Sequence, residues 1–472
     1  MTNDRALMES PPERPGEDQK SEYLRRWVGD LHLDASAKDE KLRRLVEWRR
    51  GLSGAEIARL YQKQYHPTYL NLLSVFGETL SAGEIQDLAV RCVRATAWSE
   101  SQFDFHLSKL IAAARSARAG DAVAADGRRW LKLRGWDTAL IRALLERGKG
   151  LIICTNRFSL MSFVPLELAL MGFRTSVVVN RRFTEVMQAA LDFLGGAAGG
   201  EEAGGGEAGE GAASLRNISR LKVINAEERT GVAKFVDALK GGGIVSLNVE
   251  GNTGADGPWG QGSRSAVRFF NHTLRVKNGV ARLAAALGTP LLPVTTLSEP
   301  DCFGRVVFGT PIIPPRSSSP SDCEGFVRQT MQALYARLES YAGRYRDQWE
   351  GWSALHRWRV EDAEGSSPAV PPRNVDAGEV FEILRGGQSF RVNRRRVALL
   401  PAEGGSVWVD LKTLKSYMNP AWAGEENILE ALSGQDGVNL KWLDRRGDDP
   451  GWREKAVRLL SYLSASELIV AC

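Results

Sequence analysis

Apolar residues at helical spacing dominate the first third of the chain, over residues 21–148. They recur every three or four positions in stretches such as EKLRRLVEWRRGL, GAEIARLYQKQY and GEIQDLAVRCVRATAW. That spacing places the apolar side chains on one face of a helix, so we expect a helical region. The segment before it, residues 1–20, is charged and rich in proline, which predicts a disordered tail.

From residue 149 to about residue 320, short apolar runs alternate with helical patterns. The predicted strands are KGLIIC, RTSVVVN, LKVIN, GGIVSLNV and TPLLPVTTL, with helices such as PLELALMG, TGVAKFVDALKGG and NGVARLAAALG between them. This alternation is typical of an α/β fold, in which helices cover both faces of a parallel or mixed sheet. A glycine-rich stretch at 195–214 interrupts the pattern, and we expect a flexible surface loop there.

The C-terminal part of the chain has a different pattern. A closing helix and an aromatic-rich tail are predicted over 320–360, followed by a Pro/Ser/Asp-rich linker at 361–378. In residues 379–472, EVFEILRGG, FRVNRRRVALLPA and SVWVDLK alternate like short strands, whereas ILEALSG and REKAVRLLSYLSASELIV are typical of helices. Strands and a few helices in this length predict a small, separate, winged-helix-like domain.

Composition and charge narrow the class of protein only slightly. Apolar residues make up 43% of the chain and charged residues 25%, which is ordinary for a globular protein. The net charge of +5 is too small to select a lipid, a phosphorylated substrate or RNA as partner. The 5 cysteines form no CxxC pair, which argues against a disulfide scaffold or a zinc site and suits a reducing cytoplasm.

The sequence offers no recognisable membrane span or cofactor motif. No apolar run approaches the roughly 20 residues of a membrane span, so we expect a cytoplasmic protein that contacts a membrane at most peripherally. The glycine cluster GNTGADGPWGQGSRS matches no phosphate-binding loop, and no metal-ligand spacing occurs, so we expect no cofactor.

Several stretches carry a family resemblance through their order and spacing. They are GKGLIICTNRFSLMSFVPLELALMGFRTSVVVNRR, then GGGIVSLNVEGNTG with VRFFNHTLRVKNGVARLAAALGTPLLPV, and finally RDQWEGWSALHRW. Together they resemble the lysophospholipid acyltransferase-like superfamily, nearest to the lipid A lauroyl/myristoyl acyltransferases. The resemblance covers roughly residues 50–360 and lies within a predicted domain at 21–360. It implies an αβα core of the glycerolipid-acyltransferase type behind the helical N-terminal region.

The catalytic turn of that family carries a histidine base and, five positions further on, a carboxylate that orients it. Aligning the helix that follows places these two positions on Arg157 and Ser162, and a shift of one residue gives Asn156 and Met161. An arginine stays protonated near neutral pH, so Arg157 cannot act as a general base. It remains a candidate for binding an anion or stabilising an oxyanion, or else it is a surface cation at a strand end.

A second candidate region follows the strand GIVSLNV, at the end where open α/β sheets bind ligands. Glu250 and Gly251 resemble the start of the Glu-Gly-Thr-Arg block of the phosphatidic-acid-forming branch, whose Glu and Arg hold the acceptor. Asn252 is a candidate to hydrogen-bond a substrate, and Arg264 or Arg268 could supply the missing charge. His272 could face the same cleft. The alternatives are that Glu250 caps the turn and that His272 is a surface histidine.

Two more regions are candidates for binding. Arg181 and Arg182 follow the second predicted strand and could hold an anionic head group or the phosphopantetheine of a carrier, although a solvated loop is the alternative. The last hundred residues resemble the small PqqD-like winged-helix proteins, which hold precursor peptides during natural-product assembly. That resemblance implies a peptide or a partner protein at the C-terminal domain.

Two functions are therefore predicted. The first is an atypical acyltransferase of specialised metabolism, with an acyl-CoA, acyl-carrier protein or aminoacyl-tRNA donor and an amine or hydroxyl acceptor. The second is a catalytically inactive relative whose cleft binds a lipid, a carrier or a peptide as a scaffold. Polar groups that converge on one cavity would favour catalysis, and a cavity lined by apolar side chains would favour binding. Nucleic-acid binding ranks below both, because a clustered basic recognition helix is missing.

Overall fold

The computed structural model describes most of residues 51–99, 133–192, 217–359 and 377–471. Gaps within these ranges fall at 98, 182, 186, 189–190, 219–220, 252–262, 300–303, 316–318, 394–396, 403–404, 411–415, 418–427, 435, 445–449 and 466–467. The predicted tail, the glycine-rich loop and most of the predicted linker lie outside the described residues.

The chain divides into two compact units. The first unit consists of residues 1–53 and 91–351, and the second of residues 54–90 and 352–472. The first contains the main sheet, and the second contains the C-terminal strands and helices. The domain boundaries that the sequence suggests stay predictions.

The strands of the first unit build one large sheet and one hairpin. They are β1 Leu133–Arg134, β2 Leu151–Thr155, β3 Thr175–Val179, β4 Lys222–Asn225, β5 Ile244–Asn248, β6 Arg264–Phe269, β7 His272–Lys277, β8 Leu291–Ser298 and β9 Gly304–Phe308. The order across the 7-stranded sheet is β1-β9-β8-β2-β5-β3-β4, and β6 and β7 form an antiparallel hairpin. The five strands from β8 to β4 are parallel, whereas β9 runs antiparallel to β8.

The sheet confirms the α/β class and each of the five strands predicted between residues 149 and 320. The central strand β2 has the sequence LIICT and is buried along its whole length. A continuous apolar run of this kind is typical of a parallel strand that is covered on both faces. Leu151, Ile152 and Ile153 are each 0% exposed, so the core of the first unit is built around this strand.

Helices flank the sheet and also make up much of the second unit. They are α1 Gly54–Leu60, α2 Gln62–Phe76, α3 at 82–97, α4 Thr138–Leu145, α5 Val164–Leu170, α6 Gly231–Lys240, α7 Gly279–Leu287, α8 Pro320–Arg344, α9 Ala377–Arg385, α10 Ile428–Ser433, α11 Leu440–Asp444 and α12 Pro450–Ala465. Within the part of the chain that the structure describes, no helix combines the length and apolar character that crossing a bilayer requires.

The 25-residue helix α8 follows from a clear start signal and an apolar stripe. The hydroxyl of Ser319 caps its first turn by accepting a hydrogen bond from the main chain of Asp322, and Pro320 occupies the first helical position. Residues three or four positions apart then form its buried face, among them Val327, Met331, Leu334 and Leu338. This stripe confirms the closing helix that the sequence predicts.

The second unit contains short strands and helices around its own core. Its strands are β10 Phe390–Val392, β11 Val397–Ala402, β12 Gly405–Asp410, β13 Ser416–Tyr417 and β14 Ile469–Ala471. Strand β10 pairs with β14, and β11, β12 and β13 form an antiparallel sheet. The apolar side chains of the core come from both strands and helices, including Phe390, Trp408, Leu432 and Leu460. The winged-helix-like interpretation of this unit stays a prediction.

One predicted strand of the second unit is wrong. The segment EVFEILRGG forms most of helix α9 and the turn after it, rather than a strand. Val380 and Leu384 are buried and lie four positions apart, which places them on one face of a helix. In so short an amphipathic segment, the apolar residues fit both the helical period and the strand period. Packing against the other helices therefore decides between helix and strand.

Gly150 offers a direct test of the entry into the central strand. Its φ is +65°, and a Cβ built on it would lie 2.7 Å from the carbonyl oxygen of Leu239 and 2.9 Å from that of Gly243. We predict that Gly150→Ala lowers the free energy of unfolding by about 2–4 kcal/mol, because backbone strain and a clash with main-chain atoms add together. Denaturant unfolding would measure the loss.

Gly148 is the matched control for that substitution. It has φ +73°, but nothing lies within 4 Å of an added Cβ. Gly148→Ala should therefore cost only the backbone strain, about 1 kcal/mol. Equal losses for the two variants would show that the close approach at Gly150 does not constrain the fold.

Candidate functional site

The candidate site lies where two neighbouring parallel strands of the first unit end. Strands β2 and β5 are paired side by side, with Thr155 opposite Asn248 at their carboxyl ends. The chain leaves β2 towards β3 on one side, and it leaves β5 towards β8 on the other side. Right-handed crossovers place these two connections on opposite faces of the sheet. Such a switch point opens a crevice at the strand ends, where open α/β folds bind ligands.

The carboxylate of Glu250 bridges this switch point. Its Oε2 accepts a hydrogen bond from the main-chain N–H of Arg157, at 2.5 Å, and its Oε1 accepts one from Nε1 of Trp349, at 2.6 Å. The main-chain N–H of Glu250 donates to Oδ1 of Asn248, at 2.9 Å. One side chain therefore joins the end of β5, the turn after β2 and the segment after α8.

Aromatic side chains surround the bridge. Trp349 is 1% exposed, and its ring lies 5.3 Å from the ring of Phe269, which lies 6.2 Å from that of Tyr335. Burial raises the pKa of Tyr335, and the charge of Glu250 raises it further, which shows that the phenol lies near the carboxylate. The carboxylate is thus buried among large, mostly apolar groups.

Burial raises the pKa of Glu250 to about 7, while the charge of Arg157 and the two N–H donors act in the opposite direction. The side chain is 2% exposed. Both carboxylate oxygens already accept hydrogen bonds from protein N–H groups. This geometry makes Glu250 a group that holds the turn and leaves it little capacity to hold a substrate.

The turn after β2 is fixed by main-chain hydrogen bonds to the segment that carries Trp349. The N–H of Ser159 donates to the carbonyl of Gln348, at 3.2 Å, and the N–H of Glu350 donates to the carbonyl of Arg157, at 2.8 Å. Leu160 adopts a left-handed conformation, with φ 71°, which is uncommon for a leucine. A strained conformation persists only where its surroundings hold it, so these contacts define the shape of the turn.

A pocket opens between this turn and the sheet, and we call it the strand-end pocket. It encloses about 450 Å³ of empty space, part of it open to solvent. Its lining residues are Thr155, Met161, Ser162, Pro165, Val177, Val178, Val179, Phe183, Met187, Ser246, Leu247 and Asn248. Most of these side chains are apolar, and among the described lining residues none carries an imidazole, thiol, carboxylate or amine group.

Five of the predicted site residues come together around the turn and the bridge. Arg157 and Glu250 are in direct contact, and Gly251 follows Glu250 immediately. Ser162 lies on the 3-10 helix Met161–Phe163 and lines the strand-end pocket. Asn156 is buried beside them, where its carbonyl accepts a hydrogen bond from Phe158.

The other predicted site residues lie elsewhere or outside the described residues. Arg264 and His272 are at opposite ends of the β6–β7 hairpin. Five residues of extended strand separate the two ends, which corresponds to about 17 Å. Neither residue lines the strand-end pocket. Arg181 is exposed just after β3. Arg182 and Asn252 are outside the described residues. The catalytic roles proposed for Arg157, Glu250 and His272 stay predictions.

Three residues at this site were not identified from the sequence. Trp349 lies in the aromatic tail, but nothing in the sequence pairs it with a carboxylate 99 positions earlier. Ser246 and Asn248 offered a visible signal, because they are polar residues at alternate positions of the apolar strand GGIVSLNV. Alternate residues of a strand point to the same face, which here is the face that the pocket occupies.

Comparison with known proteins gives no name for the site. No family model matches the chain, and no curated protein matches it significantly. Among the described residues, no group of three or more His, Cys, Asp or Glu side chains could hold a metal ion. The acyltransferase resemblance therefore stays a prediction that rests on the residues quoted above.

We predict that Glu250→Gln destabilises the protein by about 1–3 kcal/mol near pH 5, because both oxygens of the neutral carboxyl can accept a hydrogen bond, whereas the amide NH₂ cannot. The folded pKa of Glu250, about 7, lies above the unfolded value of 4.5. The wild-type stabilisation from this group is therefore complete below the unfolded pKa and declines as the pH rises towards 7. The deficit of the variant should shrink between about pH 5 and pH 8. Denaturant unfolding followed by tryptophan fluorescence would measure it.

Glu167 on α5 provides a matched control. It is also buried, it accepts hydrogen bonds from the main chain of Leu133 and from Nε1 of Trp136, and burial raises its pKa to about 7. Glu167→Gln should therefore show the same pH dependence as Glu250→Gln. A deficit that grows towards higher pH in the Glu250 variant would contradict the burial of its carboxylate.

Proposed function

We propose that the first unit has a fold of the glycerolipid-acyltransferase type and that it binds an acyl chain, or a chain of similar apolar character, without histidine-based catalysis. The observation that carries the proposal is the strand-end pocket, which lies at the carboxyl ends of β2, β3 and β5 and is lined mostly by apolar side chains. This is the position at which open α/β sheets bind their ligands.

The lining supports a long apolar ligand energetically. Val177, Val179, Phe183 and Met187 present hydrocarbon, aromatic and thioether surface to the pocket. Each methylene buried there contributes about 0.8 kcal/mol, so six methylenes contribute on the order of 5 kcal/mol before the cost of association.

The chemistry around the pocket argues for binding rather than for the dyad mechanism of the family. Arg157 occupies the position of the histidine and cannot accept a proton near neutral pH. Glu250 is the nearest carboxylate along β5, but both of its oxygens accept hydrogen bonds from the protein. A hydroxyl acceptor would therefore lack a general base at this turn.

Acyl transfer to an amine is the second candidate function. It is favoured by the hydroxyl groups of Ser162 and Ser246, which face the pocket and could donate to a developing oxyanion. A free amine is nucleophilic without a base, so the missing histidine is less serious for this acceptor. The donor would be an acyl-CoA, an acyl-carrier protein or an aminoacyl-tRNA, and product formation from labelled donors would distinguish transfer from binding.

In the same proposal, the second unit is a winged-helix-like domain that holds a peptide or a partner protein. Its strand β10 is short and exposes Arg391, while Val470 on β14 is 42% exposed. Arg394, Arg395 and Arg396 lie outside the described residues. An acidic peptide would be complementary in charge to these arginines. The role of the second unit would then be to recruit that peptide or partner protein.

Filling the pocket tests the proposed function. We predict that the full-length protein binds decanoyl, dodecanoyl or palmitoyl probes saturably in equilibrium dialysis, and that Val179→Trp weakens this binding about tenfold or more, because the indole occupies the space of the chain. Val179 lines the pocket from the end of β3.

Val232→Trp is the control for this variant, because Val232 is 59% exposed on α6 and does not line the pocket. It should bind the probes as the wild type does, and thermal melting would check that both variants are folded. Saturable binding that is unchanged in a folded Val179→Trp protein would place the ligand elsewhere. If no probe binds the wild type, the proposed function is wrong.

A further inference from the structure

Two serine hydroxyls in the strand-end pocket have no hydrogen-bond partner among the described residues. Ser246 is 2% exposed, lies near the middle of the sheet on β5 and lines the pocket. Ser162 is half-buried and lines the pocket from the 3-10 helix after β2. Within the described part of the chain, the structure records no hydrogen bond to either hydroxyl group.

The other polar groups of the pocket are partnered. The hydroxyl of Thr155 donates to the carbonyl of Leu247, at 3.0 Å. Asn248 accepts a hydrogen bond from the main chain of Glu250, and its Nδ2 donates to the sulfur of Met161, at 3.4 Å. A thioether is a weak acceptor, so this amide would gain from a ligand oxygen in its place.

An unpartnered hydroxyl in a buried site lowers stability unless something completes its hydrogen bonding. Ser246 and Asn248 lie two residues apart on one face of β5, about 7 Å along the strand. Ser162 lines the same pocket from the 3-10 helix Met161–Phe163. Three groups that can donate hydrogen bonds thus surround a space otherwise lined by apolar side chains, which is an arrangement that suits a carbonyl oxygen.

The described lining of the pocket also lacks charged side chains. None of the described side chains that line it carries a charge, and Arg157, the cation beside Glu250, is not among the lining residues. Arg181 follows β3 but is exposed and is not part of the lining. Transfer of a carboxylate into such a site without a paired cation is strongly unfavourable, whereas a neutral carbonyl needs only hydrogen bonds.

We infer that the strand-end pocket selects ligands whose polar group is an uncharged carbonyl, as in an amide or an ester, and that Ser246 and Ser162 bind that carbonyl inside the pocket. This inference rests on the proposed binding function, because the same pocket takes the apolar chain. It assigns the two serines as determinants of specificity, and it excludes a free fatty acid as the preferred ligand.

Three probes with the same hydrocarbon chain separate the contribution of the polar group to binding from the contribution of the chain. The full-length wild type should bind decanamide at least tenfold more tightly than decanoic acid near neutral pH, and decane should bind through its chain alone. Ser246→Ala and Ser162→Ala should each weaken decanamide binding about three- to tenfold, the loss of one hydrogen bond, and leave decane binding unchanged.

Ser176→Ala is the matched control, since Ser176 is a buried serine on the neighbouring strand β3 that does not line the pocket. It should leave the binding of all three probes unchanged. Equal affinity for decanamide and decanoic acid would overturn the inference, as would decanamide binding that neither pocket serine affects. After either result, the proposed function would still hold if the wild type binds decane and Val179→Trp abolishes that binding. If no probe binds, the inference and the proposed function are both wrong.

Discussion

The buried carboxylate of Glu250 is the interaction on which the site depends. It accepts hydrogen bonds from the main chain of Arg157 and from the indole of Trp349, so it joins three segments that are far apart in sequence. A buried carboxylate is costly unless N–H donors satisfy its oxygens, and here both oxygens are satisfied. Loss of either donor would leave a buried acceptor unpaired, and the turn after β2 would lose its main anchor.

That anchor also determines what the turn can do. Because Glu250 fixes the start of the turn and the main chain around Gln348 fixes its middle, the 3-10 helix Met161–Phe163 is held above the strand ends. The strand-end pocket is the space left beneath it. The groups that would perform acid–base chemistry are either absent from its described lining or used in holding the turn, so the geometry supports binding of a chain more strongly than removal of a proton.

The polar side chains of the pocket then narrow the class of ligand that it can bind. Apolar side chains favour a chain, and the hydroxyls of Ser162 and Ser246 favour an uncharged polar group beside it. The same donors would serve an acyl group that is merely held and one that is passed to an amine. Binding and transfer therefore share one structural requirement, and the acceptor decides between them.

The sequence by itself determined the alternation of strands and helices, because a short apolar run such as LIICT after a glycine is typical of a strand in a sheet covered on both faces. It also placed Arg157 and Glu250 at strand ends, where parallel strands gather their polar residues. The sequence pattern gave the wrong prediction for the helix at 377–385, because a short amphipathic segment fits both the helical and the strand period. Only the tertiary structure decided that Glu250 pairs with Trp349, that His272 lies away from the pocket and that Ser246 faces it, because strand order and the packing of distant segments fix these neighbours and no local pattern encodes them.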